Sequence, residues 1–346
     1  MSNPPLPDGN RSTRPRHFPP PPPLVAKPQG LWRRTPPAVF LPILGLFGLG
    51  LSWRALAAQP GMGRFAPLGE AVLGATLLVF AFALIAWLSK PLRRPGVVMQ
   101  ELGVLPGRAG LAAMTLGIML AGATLRPFAP GLAVILVVTG ILALALLGVL
   151  IGVLLLRGPA ERRVVAPDFH LIYGGYILAP PTLVPLGYTQ VSTVILWGSV
   201  GVAVLIWAAS LHQMIARVPP APLRPLLAFH LMPASLLAIV AAGLGMADLA
   251  LGFAVLALVL LVGLLGTARW LLAAGFSPLW GALTYPLAAS AAGLAAGLAA
   301  GLADPGQWIG AIVLIAATGA VPWITYPIMK DWAKGKLAKK TNAATL

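Results

Sequence analysis

Three of the four histidines, His170, His212 and His230, and a handful of carboxylates are the side chains from which the apolar part of this sequence would have to build a proton relay, a metal site or a hydrolytic centre. Their positions argue against all three. The chain falls into long apolar runs, and Arg54, Glu70, Arg126, Asp248, Arg269 and Asp304 stand at the ends of those runs or in the turns between them. Ion-coupled pumps keep a carboxylate, histidine or lysine at mid-membrane depth, where it is expensive and therefore functional. The histidines lie within about two helical turns of a run's end, which suits packing or interfacial roles better than a relay. Hydrolases and metalloenzymes need clustered His, Asp, Glu, Ser–His or Cys groups, and the sequence contains no HExxH, no paired intramembrane aspartates and no GxSxG. Cysteine is absent, which excludes disulfides, thiolate metal ligation and a thiol nucleophile. Neither catalysis nor a cofactor or metal is expected.

An aromatic ring is the more informative side chain. Tyr285 directly precedes Pro286 within a long apolar run. Proline in a helix interior removes a backbone hydrogen bond and bends the helix, so the ring sits beside a kink. On an interior face it would project into whatever lumen the helices enclose; otherwise it is one more packed aromatic, and the residues alone leave both open. Downstream, Gly293, Gly297 and Gly301 recur every four positions and form a flat ridge that lets helices approach closely.

These residues must be positioned by membrane helices. The chain is 58% hydrophobic and only 9% charged, with mean hydropathy +0.89, too apolar to show water a polar surface. Ten apolar runs occupy 37–58, 67–88, 110–125, 130–156, 170–187, 191–216, 226–246, 249–272, 279–302 and 308–329, most of them near the roughly 20 residues needed to cross a bilayer core. Before them, residues 1–36 form a basic tail with a proline run at 19–23, prone to polyproline II, expected to be disordered, and without signal-peptide features. Residues 37–329 form the membrane domain, and 330–346 a Lys-rich tail.

The excess of 24 Lys and Arg over 8 Asp and Glu would suit nucleic acid only if it formed a face on a folded soluble domain. Here it punctuates the apolar runs and reads as topology, with the bilayer as the partner. Lys and Arg accumulate on the cytoplasmic side. Alternating sides from a cytoplasmic N-terminus leaves only Arg54, Arg64 and Arg126 outside and places the other 21 inside. Ten spans with both termini cytoplasmic are therefore expected.

Mid-run prolines separate odd from even spans. They occur in the first (Pro42), fifth (Pro180, Pro181), seventh (Pro233) and ninth (Pro286) runs, whereas the interiors of the second, fourth, sixth and eighth have none. The third has Gly117 and Gly122 instead, and the tenth breaks the pattern with Pro322. A carbonyl released by proline must be met by protein or by water in a cavity. The odd spans, kinked at Pro42, Pro180, Pro233 and Pro286, are thus expected to form a parallel inner ring, each followed by an even helix outside.

Several of these segments resemble the tellurite-resistance and C4-dicarboxylate transporter family, which includes the slow-type anion channels of plant guard cells. The resemblance is carried by Phe40-Leu-Pro-Ile-Leu-Gly45 with Trp53-Arg54, by Pro167, Phe169, Gly175 and Pro180, by Leu231-Met-Pro-Ala, and by Phe276-Ser, Trp280 and Thr284-Tyr-Pro286. It runs from about 35 to 329, with Pro42 displaced by one position and Ile172 where a further proline is usual. The resemblance implies ten helices arranged as five hairpins around a central pore, with odd helices inside, even helices outside and a homotrimeric assembly. It also places Gly45 and Gly175 among the small residues lining the pore, and Tyr285 at the position of an occluding aromatic that is usually phenylalanine.

The expected function is passive conduction of small inorganic or organic anions across the plasma membrane, the inner membrane if the protein is bacterial, gated by Tyr285. A coupled exporter of dicarboxylate, sulfite or tellurite-related anions is the alternative within transport. A membrane scaffold whose Pro-rich tail binds a partner is the alternative outside it. The topology is directly testable: reporters fused after Pro60, Pro127, Tyr188, Asp248 and Asp304 should read as external, and those after Pro95, Arg163, Pro220, Gly275 and Lys340 as internal. Two or more reversed positions would reject the ten-span topology.

Overall fold

The structure, a computed structural model, describes residues 34–158, 164–302 and 304–344. Most of the N-terminal tail, together with Arg162 and Arg163, lies outside the described residues. Every regular element among those residues is helical, and nine helices are long and apolar enough to cross a membrane. Their α-helical parts are α1 Phe40–Ala57, α2 Ala66–Arg93, α3 Leu105–Leu125, α4 Pro130–Arg157, α5 Thr189–Ala216, α6 Leu231–Gly243, α7 Ala247–Gly266, α8 Gly281–Leu302 and α9 Asp304–Ala333; the short α6 completes its span with the 3₁₀ stretch Ala221–His230 before it. This is the architecture of a multi-pass membrane protein.

The fifth run departs from the expectation of a single helix. It is a string of short pieces, Phe169–Ile172, Gly175–Leu178, Pro180–Leu183 and Val184–Leu186. Pro180, Pro181 and Pro185 lack the N–H that would continue a helix through them, so each is tolerated only near the start of a new turn. Gly187, at φ +89°, then reverses the chain in a conformation that costs glycine least. We call residues 169–186 the broken segment.

Adjacent helices pair in sequence. The contacts join α1 to α2, α3 to α4, the broken segment to α5, α6 to α7 and α8 to α9. Further packing joins α1 to both α3 and α8, α6 to α8, and the broken segment to α3 and α6. Burial divides the same way. In the spans containing α1, α3 and α6, 72 to 78% of the most apolar window is buried, and 67% in that of α8, against 22 to 33% for α2, α4, α5, α7 and α9. The outer faces carry Leu78, Leu142, Val194, Ile215 and Ile315, all exposed, as apolar side chains facing lipid should be.

The prolines occupy less costly places than mid-span kinks. Pro42 lies in the first turn of α1, where a short 3₁₀ turn, Pro37–Val39, passes into α-helix. Pro180 is the first residue of its short helix, and Pro233 is in the first turn of α6, after the 3₁₀ stretch Ala221–His230. The first four N–H groups of a helix have no intrahelical partner, so proline forfeits nothing at these sites. Pro286 alone of the four lies well inside a helix, α8.

Small residues let α8 approach its neighbours. A Cβ added to Gly293 would lie 2.6 Å from the Ser235 carbonyl oxygen of α6, and one on Gly297 equally close to the Ala250 oxygen and the Ala254 Cβ of α7. One on Gly301 would strike Leu251 of the same helix. The glycine ridge therefore serves the packing expected of it. Gly293→Ala should destabilise the protein by about 1–3 kcal/mol through overpacking against backbone that cannot yield. Gly74→Ala, on an open face of α2 with nothing near its Cβ, should change stability by less than about 0.5 kcal/mol. Thermal unfolding of the detergent-solubilised variants checks both.

Candidate functional site

A cavity of about 230 Å³ opens between α1, α3, α6, α8 and the broken segment, each of which contributes lining residues. Along α1 the lining extends from Gly48 to Ala58, about 15 Å at 1.5 Å per residue. Its walls are largely apolar, with Leu51, Leu120, Leu178, Leu236 and Ile239 prominent. Four side chains break that apolarity: Ser52, Tyr285, Arg54 and Arg126.

Tyr285 and Gly48 are the innermost lining residues of α8 and α1. The ring is only 3% exposed and lies flat enough on α1 that a Cβ at Gly48 would sit 3.0 Å from its Cδ2 atom. Two hydrogen bonds stitch the α1–α8 seam on either side of it. Ser52 Oγ donates to the Ala288 carbonyl at 2.8 Å, and Thr284 Oγ1, which donates chiefly to the Gly281 carbonyl of its own helix at 2.7 Å, also reaches the Leu41 carbonyl at 3.3 Å. Tyr285 thus belongs to the buried core and also lines the inner end of the cavity. The small residues expected to line a lumen are elsewhere: Gly45 packs on Thr284, and Gly175 on Leu116 and Leu144. Neither lines the cavity, and Gly48 does.

The two arginines differ in how fully they are engaged. Arg54 donates from Nε and Nη2 to the two carboxylate oxygens of Glu70, both at 2.7 Å, and from Nη1 and Nη2 to the carbonyls of Ala123 at 2.9 Å and Thr124 at 3.0 Å. A bidentate guanidinium–carboxylate pair is strong and geometrically exacting. Arg126, half-buried, donates from Nη1 to the Pro181 carbonyl at 3.1 Å, and no described carboxylate pairs with it. Burial and the neighbouring Arg54 charge lower its pKa, yet a guanidinium remains protonated at any ordinary pH. The cavity therefore holds one compensated cation and one uncompensated one. Read as topology, the sequence placed both arginines at span ends and assigned them no role. A signal was present all the same, because Arg54, Arg64 and Arg126 were the three basic residues on the side where few are expected.

Two polar clusters lie at the opposite end of the helices. Lys90, counted above as a loop charge, is completely buried against Glu101 at 2.6 Å and donates also to the Thr35 carbonyl at 3.1 Å. His170 Nε2 lies 2.9 Å from His230 Nδ1, and His230 Nε2 lies 2.9 Å from Ser210 Oγ. These contacts tie the broken segment to α5 and to the start of α6, the packing role anticipated for both histidines; His212 is exposed. Among the described residues no three His, Asp or Glu side chains are grouped to hold a metal. Comparison with protein-family models and with curated protein sequences yields no match to this chain.

Asp168, between α4 and the broken segment, is fully buried 4.0 Å from Arg108 Nε, and neither of its carboxylate oxygens has a hydrogen-bond partner among the described residues. Burial pushes its pKa from 3.8 up to about 6, only partly opposed by Arg108. A carboxyl whose folded pKa is raised stabilises the fold while protonated, and that contribution is lost as pH rises from about 4 to about 6. Asp168→Asn should therefore gain stability relative to the parent across that window, by an amount on the order of 3 kcal/mol at ~1.36 kcal/mol per pH unit. Unfolding midpoints measured from pH 4 to 7.5 check this: a constant difference between variant and parent would contradict it.

Proposed function

We propose that this chain is a channel-like conduit that passes small anions across the membrane and that the ring of Tyr285 occludes it. The observation that carries the reading is the position of that ring, at the inner end of a cavity lined by α1, α3, the broken segment, α6 and α8 together. In this reading those five segments close a circuit, each packed on the next, with α2, α4, α5, α7 and α9 outside them. The broken segment then supplies the tenth crossing. The contacts of α1 with α3 and α8, and of α6 with α8 and the broken segment, support such a circuit, and so does the burial difference between the two sets. Kinship with the tellurite-resistance and C4-dicarboxylate transporter family is part of the same proposal. It rests on the motifs quoted above and on the position of Tyr285.

The basic-residue partition puts the Arg126 end of the cavity outside and the Lys90 end in the cytoplasm. The chemistry of the lining favours anions. It holds guanidinium groups and a phenol hydroxyl, and the carboxylate of Glu70 beside it is already paired with Arg54. A pore built this way attracts anions through a local positive potential and closes by steric and hydrophobic exclusion of water. No mid-membrane carboxylate is required of a passive conduit.

Tyr285→Ala should raise anion flux roughly tenfold or more by removing the occluding ring, and Tyr285→Phe should keep the parent's low flux because the ring remains. Chloride efflux from liposomes containing the full-length protein measures both. A ring with only a packing role would instead cost about 3–5 kcal/mol of stability on truncation, with no flux gained. A folded Tyr285→Ala protein with parental flux would reject the gate.

A further inference from the structure

We infer that the cavity is a docking site for one singly charged small anion at Arg126, and that Glu70 sets this valence by neutralising Arg54. The inference rests on the proposed anion conduction only for the direction of travel; the binding site stands on its own geometry.

A guanidinium has five N–H donors in a fixed fork. Arg54 commits four of them, two to Glu70 and two to backbone carbonyls. Arg126 commits one, to Pro181. Of the two arginines lining the cavity, only Arg126 therefore retains several donors for a ligand. The leucine side chains of the lining, Leu120, Leu178 and Leu236, offer no competing acceptor. At the inner end the Tyr285 hydroxyl has no hydrogen-bond partner among the described residues and lines the same cavity, so an anion moving inward from Arg126 meets a second donor. A volume of about 230 Å³ is below the ~300–1,000 Å³ of pockets for drug-sized ligands. It suits a small ion with part of its water.

Charge then decides valence. Arg54 and Arg126 contribute two positive charges and Glu70 one negative, which leaves a net charge of one. A singly charged anion makes the site neutral, whereas a doubly charged one leaves an excess charge in largely apolar surroundings, where an uncompensated charge is costly. The Arg54–Glu70 pair thus works as a fixed, self-satisfied unit that shapes the cavity wall and removes one charge from it. Arg126 provides the charge that the ligand sees.

The test is chloride binding to the detergent-solubilised full-length protein, read by broadening of the ³⁵Cl resonance, with sulfate as competitor. The parent should broaden the line and sulfate should compete poorly. Arg126→Gln should weaken chloride binding at least about tenfold, with Arg126→Lys restoring part of it because the charge returns. Glu70→Gln should leave chloride bound and make sulfate a competitor about tenfold stronger. The double variant Arg54→Gln with Glu70→Gln, whose site again carries one positive charge, should return to the parental preference. Should Glu70→Gln alone fold poorly, Arg54→Gln, whose site carries no net charge, keeps the test decisive: it should weaken chloride binding about tenfold although Arg126 is intact. Chloride binding indifferent to Arg126, sulfate competition unaltered by a folded Glu70→Gln, or chloride binding unaltered by Arg54→Gln would overturn the inference. Liposome flux separates this result from the function proposed above. Flux with binding independent of Arg126 removes the site and leaves the conduit, whereas Arg126-dependent binding without flux in any variant does the reverse.

Discussion

Close approach of α8 to its neighbours is the constraint on which the rest of the molecule depends. This helix touches α1, α6, α7 and α9, and it does so through faces that carry little side chain. Gly293 and Gly297 leave room for the backbone of α6 and α7 and Gly301 for Leu251, while Gly310 of α9 leaves room for Ala295 of α8. In a bilayer, apolar burial between helices gains little because lipid is as apolar as leucine, and association must come from van der Waals contact and occasional hydrogen bonds. Small residues maximise that contact. The hydroxyls of Ser52 and Thr284, which bond across the α1–α8 seam, then fix its register.

With that seam in place, the location of the cavity follows. Below Tyr285, Gly45 and Thr284 bring α1 and α8 into direct contact. Above it, Ser52 and Ala288 keep the two helices joined, and the cavity opens beside that seam, toward α3, the broken segment and α6. The large ring sits at the cavity's inner end, and Gly48 is the residue of α1 that makes room for it. A side chain at position 48 would force the ring to shift, so the position of the aromatic depends on a glycine in a different helix.

The electrostatics are equally divided between the two ends. Toward the Lys90 end, polar groups are used to hold elements together: Lys90 with Glu101 and Thr35, and His170 with His230 and Ser210. Buried pairs of this kind contribute specificity more dependably than stability, because desolvation offsets much of the Coulomb attraction. Toward the Arg126 end, Arg54 is likewise used structurally, clamping Glu70 and the end of α3, while Arg126 keeps most of its donors available. The same residue type therefore has two different roles within one cavity.

Nearly all of the span boundaries were legible in the residues, because a run of about 20 apolar side chains can cross lipid in only one way, as a helix with its backbone bonds satisfied internally. The glycine ridge of α8 was readable for a related reason, since a fixed spacing of side-chain-free positions has a direct packing consequence. The sequence pattern also singled out Tyr285 through the neighbouring Pro286, without deciding whether the ring was packed or exposed to a lumen. Three matters lay beyond it. The break in the fifth run depends on which N–H groups three closely spaced prolines remove, so a hydropathy window sees only one apolar stretch. That Gly48 lines the cavity while Gly45 and Gly175 pack against neighbouring side chains depends on the rotation of helices about their own axes, which neighbouring helices impose. The difference between Arg54 and Arg126 was the least accessible, since the two share one residue type and one membrane depth. Only the tertiary structure brings Glu70 to one of them and leaves the other without a carboxylate partner among the described residues, because partnership between side chains is set by distance in space and not along the chain.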